Sequence, residues 1–241
     1  GEIYFEESNW PKAVAAYEKV IDSDNEYTEK ALVRSAMALV NDDKKANAIP
    51  IWQRLETGAN FKENKRYAEF NLMKAYYEAG NYTQSVAQSE KVLSLSNVSA
   101  KVKWDAYDML AHSSLILKDS AKAKQAFIAL EKAPTDALAA EALYFKAYLL
   151  HQEGSFEKSN ATIAVIAQKY SSAGEWSAKS LLLMAQNFEQ LEDAFQALFI
   201  LDSIIENFKQ YTTIVTQAQD LKKAIEKKEA EKNESIENGN N

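Results

Sequence analysis

A small residue returns six times along the chain, at Ala13, Ala48, Ser85, Ala123, Ser159 and Ala197, at intervals of 35, 37, 38, 36 and 38 residues. The clearest copies read SNWPKAV, GNYTQSV and GSFEKSN, the weaker ones KKANAIPIW, AKAKQAF and DAFQALF. Four residues after these anchors stand Tyr17, Trp52, Phe127, Ile163 and Leu201, with Ser89 as the exception. Seven residues after them stand Val20, Leu55, Val92, Leu130, Ile166 and Ile204. Positions i, i+4 and i+7 share one helix face, so each copy predicts an amphipathic helix. Twelve residues before the later anchors are Ala36, Met73, Ala111, Ala147 and Ala185, small or medium side chains that let a partner helix come close. One helical hairpin cannot bury its apolar face alone, so a unit of this period implies stacking of copies.

A helix pair of this length, with small residues at two fixed places, an aromatic beyond the second and Gly or Asp-Asn turns, resembles the tetratricopeptide repeat. The likeness covers about residues 1–210 and counts six repeats, the first truncated. The units run longer than the family's usual length of about 34. The tryptophan early in the first helix and the closing proline are missing. A helical-hairpin solenoid of another type is the competing reading. The resemblance implies an all-α, right-handed superhelical solenoid of about thirteen helices around one continuous core. It also implies a concave groove that serves protein interaction.

Counting back from Ala13, only Glu2 to Glu7 of the first helix are present, so the chain is expected to begin inside a repeat of a longer protein. Ile214, Ala218, Leu221 and Ile225 mark one more amphipathic helix, over 211–232, expected to cap the last hairpin. Five Lys and five Glu occupy Lys222 to Asn241, and residues 233–241 are expected to be disordered.

Composition narrows the function. A formal charge of −7 argues against a nucleic-acid partner, which needs a dense basic face. No apolar run reaches the roughly 18 residues of a membrane span. Cysteine is absent, which removes thiolate chemistry and cysteine-based zinc sites. No phosphate loop, nucleophile elbow or HExxH pair occurs, and the carboxylates follow solvent-facing helix positions. The sequence is therefore read as a non-enzyme with no cofactor.

The candidate binding surface is the stripe of each unit's first helix that faces away from its hairpin partner. It reads Val33, Met37, Val40, then Phe70, Lys74, Tyr77, then Asp108, His112, Leu115. It continues with Tyr144, Tyr148, His151, and ends with Leu182, Gln186, Glu189. A solvated groove carries more Lys and Glu, and apolar surface of this extent marks an interaction site. Phe70, Lys74, Tyr77, Asp108, His112, Tyr144, Tyr148 and His151 are the residues assigned to peptide binding. Packing of the same aromatics against neighbouring repeats is the competing reading. Asp108 and His112 stand one helical turn apart, and with His151 they are of zinc-ligand type, although two solvated histidines explain the pattern as well. Of the basic residues that tetratricopeptide domains use to hold acidic chaperone tails, only Lys30 and Arg34 have counterparts here. Trp10, Trp104 and Trp176 lie near helix starts and are read as inter-repeat packing, with glycan stacking as the alternative.

The expected function is a scaffold that holds an extended peptide or partner helix. A glycan- or peptidoglycan-binding envelope component and a self-associating structural segment are the alternatives. The resemblance further implies the bacterial periplasm or outer membrane, with the cytoplasm as the alternative.

Overall fold

The computed structural model describes the backbone of residues 1–239 and side chains through Lys232. Within that range the chain is all-α, with thirteen helices and no strand. Its contacts group it into two compact units, Gly1–Ala126 and Phe127–Asn241. The first seven helices are α1 (Glu2–Glu6), α2 (Trp10–Asp22), α3 (Thr28–Asn41), α4 (Lys45–Gly58), α5 (Lys62–Glu78), α6 (Tyr82–Ser94) and α7 (Ala100–Ile116). After α8 (Ser120–Leu130) come α9 (Asp136–Gln152), α10 (Phe156–Lys169), α11 (Glu175–Gln190), α12 (Ala194–Asn207) and α13 (Thr212–Gly239). The expected disordered tail, 233–241, falls on residues whose side chains lie outside the described set, as does the backbone of 240 and 241.

The six helix breaks that precede the anchors share one physical cause. Five residues before every anchor the backbone turns left-handed, at Ser8, Asp43, Gly80, Lys118, Gly154 and Glu192. The next amide then donates to the carbonyl five residues back: Asn9 to Tyr4, Lys44 to Leu39, Asn81 to Tyr76, Asp119 to Ser114, Ser155 to Leu150 and Asp193 to Phe188, all at 2.8–2.9 Å. This is the Schellman closure, which satisfies carbonyls that a helix end leaves open. Glycine supplies only two of the six left-handed residues, so Ser8, Asp43, Lys118 and Glu192 hold that conformation against a cost of about 1–2 kcal/mol each.

The anchors and their partners form the core. Ala13, Ala48, Ser85, Ala123, Ser159 and Ala197 are all fully buried. So are Ala36, Met73, Ala111, Ala147 and Ala185, twelve residues earlier. Where the anchor is serine, its hydroxyl marks this pairing, donating to the carbonyl twelve residues back: Ser85 to Met73 and Ser159 to Ala147. In the first unit, Trp52 is sealed among Leu32, Leu39 and Leu72, with Tyr67 edge-on to its indole at 5.4 Å. Removing a side chain of that size costs about 3–5 kcal/mol. In the second unit, Ile200, Leu201 and Ile204 of α12 meet Ile214, Ala218 and Ile225 of α13. The outer positions of α13, among them Thr216, Gln219, Lys223 and Lys227, are polar and exposed. No described helix is long and apolar enough to cross a membrane.

Polar contacts stitch successive hairpins together in the first unit. Glu29 of α3 accepts from the Asn60 and Phe61 amides and the Asn64 side chain at the start of α5. Glu56 of α4 accepts from Gln88 and Lys91 of α6, both at 2.7 Å. Lys91 also lies 3.5 Å from Glu69, whose side chain is almost fully buried.

Candidate functional site

In the second unit α9 contacts α11, and α11 contacts α13. Their exposed faces enclose a groove of about 780 Å³. Tyr144 and Tyr148 of α9 line one side, Leu182 and Gln186 of α11 the floor, and Thr213, Gln217 and Asp220 of α13 the far side. The volume lies within the range of about 300–1,000 Å³ typical of ligand sites. Helical spacing places these residues, since 144 and 148, 182 and 186, and 213, 217 and 220 recur at one turn.

Aromatic packing fixes the tyrosine side of this groove. Tyr144 stacks on Tyr148 with ring centroids 6.5 Å apart and lies 5.4 Å from Trp176 and 5.1 Å from Phe145. Burial, reinforced by Tyr148, pushes the Tyr144 phenol above its ordinary pKa. Lys179 sits over the Trp176 ring at 4.3 Å and pairs with Glu175 at 2.7 Å. Both tyrosines are half-buried rather than open. The competing readings of these rings, binding or packing, therefore both describe the same side chains. Trp176 of α11 packing on α9 agrees with inter-hairpin packing.

His151 departs from the picture of a solvated histidine. Its Nδ1 lies 2.6 Å from Oδ1 of Asn187, and its ring meets Phe156 edge-on at 5.4 Å. Asn187 is fully buried and gives both amide hydrogens away, to Ser159 Oγ at 2.8 Å and Asn160 Oδ1 at 2.7 Å. Only the Asn187 oxygen is left for the imidazole, so His151 carries its proton on Nδ1. Sequence reasoning missed Asn187. The available signal was a lone amide two residues beyond Ala185, on a helix face otherwise bound for the core.

The first unit holds the remaining candidates. Phe70 and Lys74 share a smaller cleft of about 190 Å³ with Tyr67, Asn71, Val102 and Asp105. Phe70 packs on Met73, Val92 and Ala106, and Lys74 is tied to Asp105 at 2.6 Å. Tyr77 meets Tyr82 edge-on across the hairpin turn at 5.8 Å. Asp108 Oδ1 and His112 Nε2 lie 3.3 Å apart on α7, both half-buried, as their spacing predicts. They offer a carboxylate oxygen and an imidazole nitrogen, two of the ligand types that hold zinc. Lys30 and Arg34 both turn to Glu2, at 3.5 and 3.3 Å, and Arg34 covers the Phe5 ring. Both are paired within the unit, Lys30 while its side chain stays largely exposed.

A scan against protein-family models finds no match for the chain, and a search of curated proteins finds none either.

Proposed function

We propose that the chain is a protein-interaction scaffold built from tetratricopeptide-type repeats, and that the second unit binds an extended peptide segment. The repeat assignment is supported by six left-handed turns and six buried anchors at constant offsets. The observation that carries the binding reading is the groove itself. It combines a fixed tyrosine wall with Gln186, Thr213 and Gln217, side chains that make no hydrogen bond to another described residue. An extended backbone needs such uncommitted donors and acceptors alongside apolar contact. The same combination of aromatic and amide groups favours glycan binding as the second reading.

Gln217 is exposed and packs against nothing in the core, so Gln217→Trp fills the groove without disturbing the fold. Peptides selected on the wild-type chain by phage display should lose at least tenfold in affinity for this variant. Equal binding would rule out the groove. If glycan-array ligands, rather than peptides, respond to Gln217→Trp, the second reading replaces the first. Tyr144→Ala and Tyr148→Ala are less clean, because both rings also pack and their loss lowers stability as well as binding.

A further inference from the structure

We infer that the groove of the second unit receives a lysine or arginine side chain of the bound segment, held between the Asp220 carboxylate and the rings of Tyr144 and Tyr148. The inference rests on the peptide-groove reading above and adds the charge of the partner. Three ionic groups line the groove: Glu175, Lys179 and Asp220. Lys179 is doubly committed, to the Glu175 carboxylate and to the Trp176 ring. That pair cancels within the wall. Asp220 makes no ion pair with any described residue, and Lys223, one turn further along α13, does not reach it. The groove therefore presents one unbalanced negative charge on the wall facing two aromatic rings.

Each class of occupant meets this arrangement differently. An acidic segment is repelled by Asp220 and has no free cation to turn to. A neutral segment that covers the groove strips water from Asp220 and returns no counter-charge, which is costly. A cationic side chain gains the carboxylate and the negative faces of the tyrosines together, the pairing that recognises ammonium and guanidinium groups. The net charge of −7 steers such a partner toward the protein at long range.

The test displays random octapeptides to the full chain, with Asp220→Lys and Gln217→Trp as parallel baits. Asp220 is exposed, so neither bait removes core. Wild type should enrich peptides with Lys or Arg fixed at one position. Replacing that residue by Gln in a synthetic peptide should weaken binding about tenfold. On Asp220→Lys the same replacement should make no difference, which places the coupling at this carboxylate. Peptides without a fixed basic position, or a basic preference that survives Asp220→Lys, overturn the inference. In that event, loss of binding to Gln217→Trp leaves the peptide groove standing. Binding that ignores both substitutions, or no enrichment at all, overturns the two together.

Discussion

The two units join one hairpin to the next through polar groups, and their most buried links differ in chemistry. In the first unit carboxylates carry the links: Glu29 accepts from amides at the start of α5, and Lys91 bridges Glu56 and the buried Glu69. In the second the buried link is neutral, a chain from His151 through Asn187 to Ser159, Asn160 and the Ala147 carbonyl, while ion pairs such as Lys222–Asp202 and Lys228–Glu189 lie nearer the surface. Equivalent anchors share these fates. Ser85 makes one long bond of 3.5 Å to Met73, and Ser89, a turn further on, is buried without a partner. Ser159 sits at the centre of a closed network. A repeat position thus fixes how deeply a group is buried, while its neighbours decide whether that burial is satisfied.

Breaking the neutral network should have the largest effect. Asn187→Ala leaves His151 and Asn160 without their shared partner inside the second unit, a loss of about 2–4 kcal/mol. Ser85→Ala in the first unit should cost less than about 0.5 kcal/mol, since its bond is long. Urea unfolding followed by fluorescence separates the units, because Trp176 belongs to the second and Trp10, Trp52 and Trp104 to the first. Comparable losses at the two sites would erase the contrast.

Overpacking tests what the units have in common. Ala111→Leu and Ala147→Leu both force bulk into fully buried positions and should lower stability by about 1–3 kcal/mol. A variant that melts like wild type would show that its hairpin is not closed at that point.

Ser89→Ala works in the other direction. It removes an unpartnered buried hydroxyl and should raise the stability of the first unit by about 1 kcal/mol. A loss instead would mean that the hydroxyl is satisfied.

The smallest effect concerns pH. Burial raises the Glu29 pKa, but hydrogen bonds from Asn64 and the Asn60 and Phe61 amides outweigh it, so the net pKa falls below 4.5. A depressed folded-state value means that this contribution is whole above about pH 4.5 and fades as pH falls through the folded-state pKa. Acid should loosen the first unit more in wild type than in Glu29→Gln. For Lys91, burial lowers the pKa, but Glu56 and Glu69 raise it further, so its contribution is whole below about 10.5 and fades above.

The sequence disclosed the hairpins well, because burial at Ala36, Ala48, Ala111 and Ala197 follows from a periodicity that the backbone itself imposes. It disclosed the turns where glycine or an Asn-containing pair such as Ser8-Asn9 marked them. At Lys118 and Glu192 the left-handed residue is forced by the helices on either side, and no side chain announces it. The candidate site was half visible. Tyr144, Tyr148 and Gln186 stood out on their helices, whereas Asp220 and Gln217 read only as the polar side of a capping helix. Their part in the groove depends on where α13 lies against α11, a tertiary fact. Asn187 escaped for the same reason, since its worth comes from His151, 36 residues away.

The turns also govern how the chain tolerates changes in length. From small residue to left-handed residue to anchor, the offsets never vary, although the intervals between anchors run from 35 to 38. Every gained or lost residue therefore lies outside that segment, between an anchor and the next hairpin. One residue inserted within a helix swings everything beyond it by about 100°, turning core positions toward water. An insertion beside Gly154 or Lys118 would unseat a hairpin, while one in the links around Asn97 or Gly174 would be absorbed. Insertions and deletions along such a chain are confined to its seams.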